Sequence, residues 1–62
     1  MNTQMSLEEY KKRVEASYLK RYPHTTKEDF EAEVATLSKE TWEEYMEDFS
    51  PEELPAAWAA GA

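Results

Sequence analysis

Residues 27–49 read KEDFEAEVATLSKETWEEYMEDF, and the spacing of the large apolar side chains in this stretch decides the fold. Phe30, Val34 and Leu37 recur at the spacing of one stripe of an amphipathic helix. Trp42, Tyr45, Met46 and Phe49 form a second stripe of the same kind. At about 100° per residue the two stripes lie roughly 110° apart, so one straight helix cannot turn both toward the same core. Either a single long helix buries different faces at its two ends, or the helix breaks near Ser38–Thr41. The break is the favoured reading. The Ser38 hydroxyl can accept from the free N–H groups of a new first turn. An unbroken helix would also run ~35 Å at 1.5 Å per residue, too long for a shorter neighbour to cover.

On the N-terminal side, Ser6-Leu7-Glu8-Glu9 has the form of a capping box, with Ser6 as N-cap and Glu9 reaching back. Leu7, Tyr10, Val14 and Tyr18 give an apolar stripe, and the helix should run from about Leu7 to Arg21. Glu8 and Glu9 suit the positive end of its dipole, and Lys20 and Arg21 the negative end. Pro23 biases Tyr22 out of the helical region and closes the helix. Tyr22–Thr26 is then a short connection between antiparallel neighbours, with Thr25 or Thr26 capping the next helix. On the C-terminal side, Ser50-Pro51-Glu52-Glu53 signals a new helix beginning at Pro51 and the end of the previous one near Phe49. Pro55 restricts Leu54, so the first turn of that segment is expected to be a short piece. Leu54 and Trp58, four apart, would share a face and dock on the core.

The expected fold is therefore all-α: a small bundle of three helices at about 7–21, 27–37 and 39–49, the last two alternatively one kinked helix, with a short C-terminal helical segment at 51–60. Residues 1–5 are expected to fray, 6–60 to form a single domain, and 61–62 to be loose. The expected core is Leu7, Tyr10, Val14, Tyr18, Phe30, Val34, Leu37, Trp42, Tyr45, Met46, Phe49, Leu54 and Trp58. Gly61 is the sole glycine, which disfavours strand-and-turn architectures that need positive φ.

With 62 residues the chain can form one domain at most, and its stability is marginal for want of buried area. It has no cysteine, so neither a disulfide nor a thiolate metal site can staple it. Aromatic residues compensate, since each large ring removes much area from water. The N-terminus lacks the basic and apolar regions of a signal peptide, and no run approaches a membrane span. The expected setting is cytoplasmic, with no membrane partner.

Charge is unevenly placed. Met1–Lys27 holds six basic and three acidic residues, a balance of +3, whereas Glu28–Ala62 holds eleven acidic residues against Lys39 alone, a balance of −10. A basic first helix lying against acidic neighbours is the plain reading, with exposed pairs each worth about 0–1 kcal/mol.

Few patterns in the chain point to chemistry. Glu40, Glu43, Glu44, Glu47 and Asp48 share helix surface, but no Asp-rich loop with a central glycine is present to hold a hard cation. His24, the one histidine, sits in a Pro-His-Thr-Thr connection beside threonines better explained as caps, with no glycine-rich oxyanion loop. No enzyme activity, cofactor or metal is expected. Lys11-Lys12-Arg13 points around a helix rather than along one face, and the overall charge of −7 opposes a polyanion, so direct nucleic-acid binding is not expected.

Two readings remain. The first is a non-enzymatic adaptor or regulatory domain that binds another protein through an acidic helix face and exposed aromatics, its partner carrying a basic surface. Glu40, Glu43, Glu44 and Glu47, with Trp42 and Trp58, are the expected contact residues. The alternative is a DNA-mimicking inhibitor of a nucleic-acid-binding protein, of the kind encoded by phages or mobile elements, whose carboxylates stand in for phosphates. A homodimer is a further possibility, because the +3 and −10 segments could pair between chains.

Overall fold

In a computed structural model, which describes residues 5–61, four helices run in the order α1 (Leu7–Arg21), α2 (Lys27–Val34), α3 (Lys39–Asp48) and α4 (Leu54–Ala59). The described residues contain no strand and the class is all-α, a small helical bundle.

The centre of this bundle is α1, not the 27–49 stretch. Each of the other three helices makes its principal contact with α1. Tyr10 and Val14, one turn apart on α1, are 1% and 0% exposed. Around them lie Phe30 from α2, Trp42 from α3 and Leu54 from α4, all buried. Every residue expected in the core is in this cluster or packed against it. Met5, Pro51 and Pro55 are additional. Met5 packs against the cluster, and the two prolines are buried.

The central stretch breaks. α2 ends at Val34, three residues short of the expected Leu37, and Ala35 and Thr36 form a turn. Its last bonds tighten from the α to the 3₁₀ spacing, with Ala35 N–H donating to the Ala32 carbonyl at 3.4 Å and Leu37 N–H to that of Val34 at 3.1 Å. Ser38 then adopts an extended backbone and its hydroxyl accepts from the Thr41 N–H at 3.1 Å, opening α3. The magnitudes favour this arrangement. Burying an indole is worth about 4–6 kcal/mol for ~150–250 Å² at ~25 cal/mol/Å². The few helical bonds surrendered in the turn net only about 1 kcal/mol each. The break lets Phe30 and Trp42 enter the same core.

The other boundaries follow local chemistry. Thr26 is the cap of α2, and the box is reciprocal: its hydroxyl accepts from Asp29 N–H at 3.1 Å while Asp29 Oδ2 accepts from Thr26 N–H at 3.4 Å. The box expected at Ser6 is half made. Ser6 accepts from Glu9 N–H at 3.1 Å, but the Glu9 carboxylate turns along the helix to Arg13, 3.0 Å away. At Ser50 both halves form, at 3.2 and 3.3 Å. Even so, Pro51–Glu53 is a turn and α4 begins at Leu54, three residues later than expected. Pro55 is the cause, because it has no N–H to give the Pro51 carbonyl and so interrupts the ladder where a helix from Pro51 would establish itself.

All eight aromatic residues belong to one ring network. Trp42 meets Tyr10, Tyr45 and Trp58 edge-on with centroids 6.2, 6.2 and 6.4 Å apart. Tyr18 links Tyr22, Phe30 and Trp58 at 5.0, 5.2 and 6.3 Å. Phe49 joins through Tyr45 at 6.4 Å. Such tilted and edge contacts add about 0.5–1.5 kcal/mol each beyond area burial.

Candidate protein-interaction site

The sequence of α3 sorts itself into two faces. On a wheel of about 100° per residue, Glu40, Glu43, Glu44 and Glu47 fall within roughly 100° of arc, and Trp42, Tyr45 and Met46 occupy a similar arc on the far side. The packing agrees: the four glutamates are exposed, whereas Trp42 is buried and Tyr45 and Met46 are half-buried. Trp42 is therefore separated from the acidic face with which it was expected to act. It is only 3% exposed, enclosed by Tyr10, Tyr45 and Trp58, with the Lys11 ammonium 5.4 Å from its ring centroid. Its role is in the core.

Beside the acidic face lies a groove of about 760 Å³. Met5, Met46 and Phe49 supply apolar surface, Pro51 borders it, and Glu43, Glu47 and Asp48 add carboxylates. Two of the expected contact residues, Glu43 and Glu47, are thus joined to apolar surface, while Glu40 and Glu44 stand on the open helix face.

Tyr10 fastens the helix that carries these residues. Its hydroxyl lies 3.0 Å from the Tyr45 carbonyl and 2.9 Å from that of Phe49, so the one proton is shared between two acceptors at the C-terminal end of α3. The Tyr45 carbonyl also accepts from the Phe49 N–H at 2.8 Å, so the Tyr10 hydroxyl is its second donor, whereas the Phe49 carbonyl lies at the helix end, where carbonyls lack intrahelical partners. Burial, reinforced by the negative charge of Glu52 and Glu53, pushes the hydroxyl up to about 12 and keeps it a donor.

Trp58 lies elsewhere. It lines a second groove, of about 330 Å³, with Tyr18, Tyr22, Val34 and Leu37, and Glu33 is on its wall. Tyr22 is the one large apolar side chain that is exposed among the described residues. The two grooves sit toward opposite ends of α1, one at Tyr10 and the other at Tyr18 and Tyr22. The six expected contact residues therefore divide among an acidic face, a core and a separate aromatic groove.

The ion pairing differs from the plain expectation of a basic helix against acidic neighbours. Among the described residues one salt bridge forms, Arg13 to Glu9 within α1. None of the described carboxylates of α2, α3 or the 50–53 turn lies within ion-pair distance of a described lysine or arginine. His24 is exposed in the turn after α1. Among the described residues no group of three or more His, Asp or Glu could hold a metal ion, and no helix is long and apolar enough to cross a membrane.

Sequence reasoning missed the contributions of Met5 and Pro51. Met5 falls in the stretch expected to fray, and Pro51 in the turn expected to start a helix. The alternation of apolar and acidic residues through Met46-Glu47-Asp48-Phe49 was the available signal for the groove. Comparison with known protein families, with curated protein sequences and with solved structures found no match to this chain.

Proposed function

We propose that this chain is a non-enzymatic protein-binding domain that docks the basic surface of a partner on the α3 face and the adjoining groove. One observation carries the reading. Glu40, Glu43, Glu44 and Glu47 share one exposed face and form no ion pair with a described basic residue, and two of them, Glu43 and Glu47, border apolar surface at Met46 and Phe49. Carboxylates left unpaired within the fold are free to steer a cationic partner, and the apolar groove gives the encounter something to bury. Half-buried methionines suit such a surface, since their flexible, polarizable side chains adapt to what they meet. The setting belonging to this reading is the cytoplasm, where a chain without cysteine forgoes nothing.

The test compares affinity capture from nuclease-treated host lysate by the wild-type domain and by E43K/E47K, with helicity checked by circular dichroism. The wild type should retain a basic protein that moderate salt releases, and the folded double variant should lose it. Retention of the same partner by the folded double variant would overturn the reading. Release of the partner by added duplex DNA would instead assign the acidic face to phosphate mimicry, the inhibitor alternative.

A further inference from the structure

The second groove has a chemistry of its own, distinct from the acidic face and independent of the function proposed for it. Three aromatic side chains, Tyr18, Tyr22 and Trp58, line it together with Val34 and Leu37, and the Glu33 carboxylate is part of its wall. The rings are set at steep angles, 56° between Tyr18 and Tyr22 and 68° between Tyr18 and Trp58, so their planes do not stack into a flat floor. Several ring surfaces beside a carboxylate, in a recess of about 330 Å³, are complementary to a weakly hydrated cation with an apolar shell. We propose that this groove binds a methylated ammonium headgroup, held by the ring quadrupoles of Tyr18, Tyr22 and Trp58 and by the charge of Glu33.

Three further observations agree. Glu33 is exposed and has no described lysine or arginine within ion-pair distance. The local field is negative: the Tyr18 hydroxyl is held above the usual tyrosine range by burial first, then by Glu33, Tyr22 and Asp29. One ring of the groove already meets a cation within the chain: the Arg21 guanidinium lies 5.7 Å from the Tyr22 ring centroid, with its Nε donating to the Tyr22 hydroxyl at 3.3 Å. A bare ammonium is more strongly hydrated than its methylated form, and an anion would meet Glu33, so the groove selects among headgroups by both charge and methylation.

The experiment is a titration of the wild-type domain followed by the Trp58 indole and Tyr22 ring resonances. Its probes are choline, its neutral isostere 3,3-dimethyl-1-butanol, and a short peptide carrying one trimethyllysine. Choline or the peptide should shift these signals saturably, and the neutral isostere should bind about two- to thirty-fold more weakly, the factor a cation–ring attraction supplies. Choline binding alone identifies a small-molecule headgroup, and tighter binding of the peptide a modified side chain. Glu33→Gln and Tyr22→Leu, both at exposed positions where the fold should survive, should each weaken the cationic probes and leave the neutral isostere unaffected. Equal binding of choline and its isostere, or no saturable shift from either cationic probe, would overturn the proposal.

Discussion

Tyr10 carries more of the structure than its size suggests. Its ring is in the core and its hydroxyl closes the end of α3 through two carbonyls. Tyr10→Phe keeps the ring and leaves the Phe49 carbonyl without that donor. It should cost about 1 kcal/mol in urea denaturation, the net worth of one such bond. The alkaline limb of stability should change as well. An unfolded tyrosine ionises near pH 10, and the folded Tyr10 hydroxyl is raised to about 12. The neutral form is the one the fold favours, so this contribution is intact below about pH 10 and is lost as the pH climbs toward about 12. Denaturation midpoints measured across that window should fall steeply in the wild type and less steeply in Tyr10→Phe. Some slope will persist, because Tyr18 is raised in the same direction. Trp42 is the other decisive residue. Trp42→Ala removes a buried indole that touches three rings, and a loss of about 3–5 kcal/mol should abolish cooperative thermal unfolding in so small a domain. Both residues were legible in sequence as core, from the 3–4 spacing alone. Trp42 nonetheless lies apart from the acidic face with which it was expected to act, because it is 3% exposed on the inner side of α3 while Glu40, Glu43, Glu44 and Glu47 occupy the outer one.

At the scale of elements, the caps set the boundaries. Ser38→Ala removes the acceptor that opens α3 and should destabilise the domain by about 1 kcal/mol, read as a shift in the urea midpoint. Thr26→Ala should cost a similar amount by removing the acceptor of the Asp29 N–H, while the backbone N–H of residue 26 can still donate to the Asp29 carboxylate. The break at residues 35–38 was predictable because two stripes about 110° apart cannot serve one core. Its position was less legible: Leu37 fits the helical spacing of Phe30 and Val34, yet it lies in the turn and still reaches the core. A side chain one turn along can arrive at the same place with or without helical bonds, and periodicity does not distinguish the two. The late start of α4 has a different origin. Ser50 and Glu53 form the capping box that the sequence announces, and Pro55 then withholds the bond that would extend it into a helix.

Across the whole molecule the net charge is −7, and the only salt bridge among the described residues is the local one in α1. None of the described carboxylates of α2, α3 and the 50–53 turn is in an ion pair with a described lysine or arginine, so repulsion among them should respond to salt. Raising the ionic strength from about 10 mM to 0.15 M, which shortens the screening length from roughly 30 Å to roughly 8 Å, should raise the melting temperature. The sequence revealed this charge asymmetry but not its geometry. Only the fold separates the acidic face from Trp58 and places each beside its own groove. The central position of α1 also governs how damage spreads. Because α2, α3 and α4 each lean chiefly on α1, the domain resembles a wheel whose spokes are joined at the hub. Paired substitutions on different spokes, away from the rings that meet at Trp58, should have nearly additive effects on stability. A change at Val14 should be felt on every spoke at once, and sequences compatible with this fold should therefore vary most freely at the rim and least along one side of a single helix.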